Sequence, residues 1–158
     1  VNNHMKIMLP ANSKMQSKAF TYGVATASFQ IEGAADTRLA CIWDTFCATP
    51  GKIRDGSNGE QACEHVKLWR QDIDLIESLG VDAYRLSISW PRVLHKDGSL
   101  NDQGVKFYID LLDELNRRDI KPFVTLYHWD LPQHIEDNGG WLNHETAYLF
   151  ADYADKIT

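Results

Sequence analysis

Short apolar runs alternate along this chain with longer segments in which apolar residues recur every three or four positions. Three short runs, rich in β-branched and aromatic residues, predict β-strands at residues 20–27, 81–88 and 122–127. Three longer amphipathic segments predict helices at residues 61–79, 101–118 and from about residue 143 to the last residue. A strand-then-helix order that occurs three times indicates right-handed βαβ units and a parallel sheet covered by helices.

Smaller signals describe the ends of these elements and the connections between them. Small residues in the first strand predict a close neighbour on one side, and the mostly apolar third strand is predicted to be buried. Gly80 is predicted to end the first long helix, because glycine readily adopts the left-handed backbone that follows a last helical turn. Short helices are predicted at residues 42–46 and 131–136, and turn pairs containing glycine predict a surface loop at 50–60.

Two architectures contain successive βα units: a doubly wound sheet and a (β/α)8 barrel. A dinucleotide-binding sheet carries G-x-G-x-x-G after its first strand, whereas residues 28–34 read SFQIEGA. In a barrel, polar residues at the carboxyl ends of successive strands converge on one face. The three predicted strands end in such groups, namely Gln30 and Glu32, then Ser89 and Trp90, then His128, Trp129 and Asp130. We therefore predict an α/β fold for residues 19–158, the N-terminal portion (about three βα units) of a (β/α)8 TIM barrel.

The segment that follows the third strand places an imidazole, an indole and a carboxylate side by side. By itself it has two interpretations. His128, Trp129 and Asp130 are the floor of a substrate site, or His128 is a buried histidine bonded to a carbonyl while Trp129 only packs.

Composition narrows the classes of partner. A net charge of -6 repels nucleic acid and anionic membrane surfaces, so we expect neither as a partner. No stretch approaches the ~20 apolar residues of a membrane span, and no secretory signal pattern is found. Cys41, Cys47 and Cys63 lack C-x-x-C spacing and are expected to be reduced thiols in a cytoplasmic protein. Residues 1–18 show no periodicity and are predicted to be a tag or disordered extension outside the fold.

Four segments resemble motifs of glycoside hydrolase family 1, the retaining β-glucosidases and β-galactosidases, and they occur in the family's order. They read FTYGVATASFQIEGA at 20–34, IWDTF at 42–46, AYRLSISWPR at 83–92 and LYHWDLPQ at 126–133. The resemblance extends from about residue 20 to the end. It implies a barrel hydrolase that acts with retention on a small β-glucoside or oligosaccharide, releasing terminal glucosyl, galactosyl or fucosyl residues, with β-glucosides foremost. It implies no metal ion and no organic cofactor.

The resemblance also implies roles for four residues. Gln30 and His128 would hydrogen-bond sugar hydroxyls in the glycone subsite, Trp129 would help to wall it, and Arg85 would orient the nucleophilic carboxylate. A glutamine amide both donates and accepts hydrogen bonds, which suits two adjacent hydroxyls. A guanidinium can hold a carboxylate with two hydrogen bonds and keep it ionised. Two alternatives stay open, in which Gln30 holds loop backbone and Arg85 is a structural ion-pair partner.

Two acidic residues beside these positions are predicted to be structural, Glu32 as a loop anchor and Asp130 as a buried carboxylate. Two departures from the family pattern are not expected to change the fold. Residues 62–66 read ACEHV where relatives usually read ACDHY, and Cys41 stands where serine is common.

A third departure concerns the chemistry itself. Retaining hydrolysis needs two carboxyls about 5 to 5.5 Å apart. In the family these lie in TLNEP and ENG segments, and neither motif occurs in this sequence. We therefore expect a chain that carries glycone contacts but not the two catalytic glutamates, that is inactive alone, and that the remainder of the barrel completes. The alternatives are a non-catalytic sugar-binding or interaction fragment and a 6-phospho-β-glucosidase.

Overall fold

A parallel β-sheet forms the centre of the computed structural model, which describes residues 8–158. Its three strands are β1 (Gly23–Ala25), β2 (Ala83–Ser87) and β3 (Lys121–Thr125), in the order β1-β2-β3. Both neighbouring pairs are parallel, as the repeated strand-then-helix order predicts. The predicted α/β fold with a parallel sheet is confirmed.

Helices connect and cover the strands. Within residues 8–158 the α-helices are α1 (Ser28–Ile31), α2 (Ile42–Ala48), α3 (His65–Ser78), α4 (Trp90–Val93), α5 (Asp102–Arg117), α6 (Gln133–Glu136) and α7 (Glu145–Ile157). Turns of 3-10 helix lie at Lys14–Gln16, Ala35–Thr37 and Gly140–Leu142. None of the helices described between residues 8 and 158 has the length and apolarity needed to cross a bilayer.

The three long helices follow the amphipathic periodicity of the sequence. Helices α3, α5 and α7 each come after one strand, and their bounds lie within a few residues of the predicted ones. Gly80 follows α3 with a φ of 64° and donates its N–H to the Glu77 carbonyl, so the predicted helix end is confirmed. Residues 8–18 contain only the turn at Lys14–Gln16, and the predicted boundary at residue 18 stays a prediction. Residues 1–7 of that extension lie outside the described residues.

One hydrophobic core joins the sheet to the helices. Ile73 from α3, Leu115 from α5 and Leu86 from β2 are all buried in it. Trp90 of α4 stacks on Tyr153 of α7, with ring centroids 4.8 Å apart. Each fully buried aliphatic or aromatic side chain contributes roughly 1.5–3 kcal/mol, so this cluster holds the long helices against the strands.

The first strand is shorter than predicted, and its predicted end is wrong. Strand β1 ends at Ala25, and Gln30 lies on the one-turn helix α1. Glu32 caps that helix, and its N–H donates to the Ser28 carbonyl. The predicted close neighbour is confirmed, because a Cβ at Gly23 would lie 2.9 Å from the Ala83 carbonyl oxygen.

The third strand is not buried, contrary to the prediction. Phe123 and Val124, which face opposite sides of the sheet, are 46% and 42% exposed. Among residues 8–158, β3 pairs only with β2 and is an edge of the sheet. An apolar run therefore identified a strand correctly, but the sequence pattern cannot tell whether a neighbour covers that strand.

Candidate active site

The carboxyl ends of all three strands lie at one edge of the sheet, because the strands are parallel. Ala25 pairs with Arg85, and Arg85 pairs with Phe123. The Thr26 N–H then donates to the Arg85 carbonyl at 3.0 Å. The segments that follow the strands therefore start side by side, as predicted for a barrel face.

Arg85 and His128 are brought together at this edge. The Arg85 guanidinium donates through Nε to Thr125 Oγ1 at 2.8 Å, and its Nη2 lies 3.4 Å from His128 Nδ1. The side chain of Arg85 is half-buried and forms no salt bridge with any residue between 8 and 158. Its positive charge is therefore not neutralised by a carboxylate within the described chain.

Trp129 forms an exposed aromatic surface beside His128. The two rings stack with centroids 5.2 Å apart and an interplanar angle of 18°, and Trp129 is 63% exposed. The φ of Trp129 is 72°, a left-handed conformation that is a genuine outlier for a bulky residue. Such strained conformations cost on the order of 1–3 kcal/mol and cluster at functional sites.

Gln30 reaches the same edge from α1. It is exposed, and among residues 8–158 its side-chain amide has no hydrogen-bond partner. The helix is attached to the third strand segment through Ser28, two residues earlier. The Ser28 hydroxyl donates to Asp130 Oδ2 at 2.8 Å, and Asp130 directly follows Trp129.

Three buried polar residues form what we call the serine–aspartate cluster, which consists of Ser28, Ser87 and Asp130. The Ser28 N–H donates to Ser87 Oγ at 2.8 Å, and the Ser87 hydroxyl donates to Ser28 Oγ at 3.1 Å. Burial raises the pKa of Asp130 to about 6, and the hydrogen bond from Ser28 opposes that rise. Sequence reasoning missed both serines, because a lone serine has no periodicity and its partners here lie 59 and 102 positions away.

Glu32 is part of the structural core and does not belong to this edge. Its carboxylate accepts from Arg92 Nε at 2.8 Å, and the Tyr108 hydroxyl also donates to it. Both partners of the ion pair are buried. Burial raises the pKa of the Tyr108 hydroxyl well above its ordinary value. These contacts agree with the predicted role of Glu32 as a structural anchor.

The arrangement offers hydrogen-bonding groups, an aromatic face and a positive charge. A glutamine amide, an imidazole and an indole face together suit the hydroxyls and C–H surface of a sugar ring. No group of three or more potential metal ligands occurs in the part of the chain that the structure describes.

Comparisons with known proteins agree on one family. The sequence profile described as glycosyl hydrolase family 1 matches residues 12–158. The chain is 49% identical over 146 residues to β-glucosidase A of Thermotoga maritima, covering 90% of this chain and 33% of that protein. It is 53% identical over 130 residues to β-glucosidase 1B of Phanerodontia chrysosporium, covering 78% of this chain and 24% of that protein.

Solved structures give the same result. The crystal structure of the GH1 β-glucosidase from Exiguobacterium antarcticum B7 matches with a TM-score of 0.86 and 47% identity, covering 88% of this chain and 32% of that one. The β-glucosidase from Thermotoga maritima in complex with noeuromycin matches with a TM-score of 0.83 and 50% identity, covering 87% and 32%. The chain thus spans about a third of the length of these relatives.

Proposed function

Because this chain belongs to glycosyl hydrolase family 1, we propose that it supplies the glycone-binding part of a retaining β-glucosidase. The fold is part of the family's TIM barrel. The activity belongs to the complete barrel, to which this chain contributes the first βα units. The substrate is a small β-glucoside or a β-linked oligosaccharide with a terminal glucosyl residue.

The observation that carries the proposal is the meeting of Arg85, His128 and Trp129 at the carboxyl edge of the sheet. Gln30 belongs to the same edge through the hydrogen bond between Ser28 and Asp130. These are the four residues that the family motifs single out. A core-packing role alone does not account for a tryptophan held in a left-handed conformation.

The proposed roles follow from the chemistry of each group. Gln30 and His128 hydrogen-bond hydroxyls of the terminal sugar, and the face of Trp129 packs against the C–H surface of the ring. Such contacts fix the anomeric carbon relative to the catalytic groups, and correct orientation lowers the barrier of the chemical step.

Arg85 is proposed to orient a carboxylate that comes from the remainder of the barrel. Retention requires that one carboxylate attack the anomeric carbon and that a second carboxyl protonate the leaving oxygen, the two lying about 5 to 5.5 Å apart. A glycosyl-enzyme intermediate forms and water then hydrolyses it. The unneutralised guanidinium of Arg85 would keep the nucleophile ionised. We propose that both carboxyls lie outside this chain, so that the chain alone is inactive.

We also propose a cytoplasmic location. Cys41, Cys47 and Cys63 are odd in number and lack C-x-x-C spacing, which is typical of reduced thiols. Burial raises the pKa of Cys41 to about 12, which makes that thiol unreactive.

The first test is hydrolysis of a chromogenic aryl β-glucoside by this chain and by the protein whose sequence continues beyond Thr158. We expect hydrolysis by the longer protein only. Gln30→Ala should lower its kcat/KM by on the order of 100-fold, because two hydrogen bonds to sugar hydroxyls are lost. Gln71→Ala, an exposed glutamine on α3, is the matched control and should change kcat/KM less than about twofold.

Three results would contradict the proposal. Activity of this chain alone would show that its catalytic carboxyls are not missing. Sugar binding without hydrolysis by the longer protein would favour a non-catalytic sugar-binding protein. Hydrolysis of an aryl 6-phospho-β-glucoside in preference to the unphosphorylated substrate would favour the 6-phospho-β-glucosidase alternative.

A further inference from the structure

The serine–aspartate cluster links the two segments to which the sugar contacts are assigned. None of its three side chains is exposed, so none of them reaches a ligand at the surface. Each hydrogen bond in it has a defined direction: the Ser87 hydroxyl donates to Ser28, and the Ser28 hydroxyl donates to the carboxylate of Asp130. An ionised carboxylate only accepts, so it fixes the direction of both hydroxyl groups.

On one side of the cluster stands α1, which is a single helical turn. So short a helix is not stable by itself in water, so its orientation depends on contacts with the rest of the molecule. Ser28 is its first residue and makes two of those contacts, one to Ser87 and one to Asp130. Gln30 lies on the same turn, and a rotation of the turn would move its amide directly.

On the other side stands the strained backbone at Trp129. Asp130 follows it and is held by Ser28, and the next residue, Leu131, accepts a hydrogen bond from the Ile42 N–H at 2.9 Å. The chain is thus fixed immediately after Trp129. A left-handed tryptophan persists only when its surroundings determine the conformation.

We propose that Ser28, Ser87 and Asp130 are positioning residues that hold Gln30 in fixed relation to His128 and Trp129. The inference rests on the proposed sugar-binding role of those three residues and adds the device that aligns them. Two separate segments contact one sugar ring. A displacement of one segment relative to the other by about 1 Å therefore lowers the rate about 100-fold.

The decisive experiment is a double-mutant cycle between Ser28→Ala and Gln30→Ala in the protein that continues beyond Thr158. Ser28→Ala is expected to lower kcat/KM about tenfold when Gln30 is present, and only about threefold when Gln30 is alanine. The threefold loss that remains comes from the displacement of Trp129. An equal factor in both backgrounds would overturn the inference, because a purely structural loss is independent of Gln30.

Thr146→Val provides the matched control. Thr146 is a buried hydroxyl that donates to the Gly140 carbonyl, and it lies outside the cluster. Thr146→Val should lower the melting temperature by about as much as Ser28→Ala does, without changing kcat/KM. If Ser28→Ala does not fold, Ser87→Ala removes the acceptor of the Ser28 N–H and tests the same link through the same cycle.

Crystal structures separate the failure of this inference from the failure of the proposed function. If the unmodified protein does not hydrolyse the glucoside, the proposed function fails. The inference is then decided by comparing two crystal structures, of the unmodified protein and of Ser28→Ala. The quantity compared is the position of the Gln30 side chain relative to that of Trp129. We expect a relative displacement of about 0.5 Å, in line with the expected tenfold loss in kcat/KM. Unchanged positions would overturn the inference whatever the activity.

Discussion

Among single residues, Asp130 makes the stability of the chain depend on pH. Burial raises its pKa from the ordinary 3.8 to about 6, with the Ser28 hydrogen bond acting in the opposite direction. A carboxyl whose pKa is higher in the folded chain than in the unfolded one binds its proton more tightly when folded. Its contribution to stability is therefore fully present below about pH 4 and is lost as the pH rises through about 6.

We therefore expect Asp130→Asn to raise the free energy of unfolding at about pH 7.5, by up to about 3 kcal/mol, with much less gain at about pH 4.5. Chemical denaturation at the two pH values measures the difference. Asp97→Asn is the control and should change the free energy of unfolding in the opposite direction, because hydrogen bonds from Ser99 lower the pKa of that exposed carboxyl. An equal gain from Asp130→Asn at both pH values would show that titration is not its cause.

The residue types of the candidate site can be predicted from the sequence, but the hydrogen bonds that join its segments cannot. Gln30, His128 and Trp129 stand in segments whose polar and aromatic groups follow predicted strands. The link between Ser28 and Asp130 spans 102 positions and depends on strand register and on a helical turn, neither of which is a local property. The left-handed conformation of Trp129 also has no local signal, since that conformation is typical of glycine or asparagine.

At the scale of elements, the close approach of α5 to α4 depends on Gly104. A glycine inside a helix usually lowers stability relative to alanine, by roughly 0.5–1 kcal/mol. Here a Cβ would overlap the Arg92 carbonyl oxygen. We therefore expect Gly104→Ala to destabilise the protein by about 1–3 kcal/mol, opposite in sign to the general rule. Thermal unfolding measures this loss of stability. The control Gln103→Ala replaces an exposed residue on the same turn and should change stability by less than about 0.5 kcal/mol.

The buried ion pair between Glu32 and Arg92 connects the end of α1 to α4. Arg92→Met leaves the Glu32 carboxylate buried without its cation, so we expect a loss of about 3–5 kcal/mol in the free energy of unfolding. The double variant with Glu32→Gln should recover part of that loss. Lys106→Met breaks an exposed pair on α5 and should cost less than about 1 kcal/mol. A loss from Arg92→Met no larger than that of the control would contradict the account.

Helices and strands differed in how well the sequence predicted them. A long helix has an apolar stripe that its own residues define, and α3 and α5 begin and end close to the predicted residues. The end of β1 depends on a local competition between continuing the strand and forming a helical turn. The turn begins at Ser28 and is followed by Gly33, which has a φ of 63°. A glycine after the turn was the signal that could have revealed that helix.

At the scale of the whole molecule, the three strands form an open sheet whose outer side at β3 is uncovered within residues 8–158. An edge strand presents unpaired N–H and C=O groups that can pair with another chain. The exposed side chains of Phe123 and Val124 add apolar surface on both faces of that edge. In the solved relatives, about two thirds of the structure lies outside the part that this chain matches. We propose that this remainder covers the edge in the functional protein.

The proposal predicts the behaviour of the 158-residue chain by itself. Purified at micromolar concentration, it should self-associate, because exposed strand edges and apolar surface promote association in that range. Val124→Lys should increase the monomer fraction, since a charge on an edge strand opposes pairing, whereas Leu142→Lys, at a fully exposed position away from the sheet, should not. Size-exclusion chromatography with mass spectrometry measures both. A stable, monodisperse monomer of 18.0 kDa would contradict the proposal, because it would show that the β3 edge needs no covering chain.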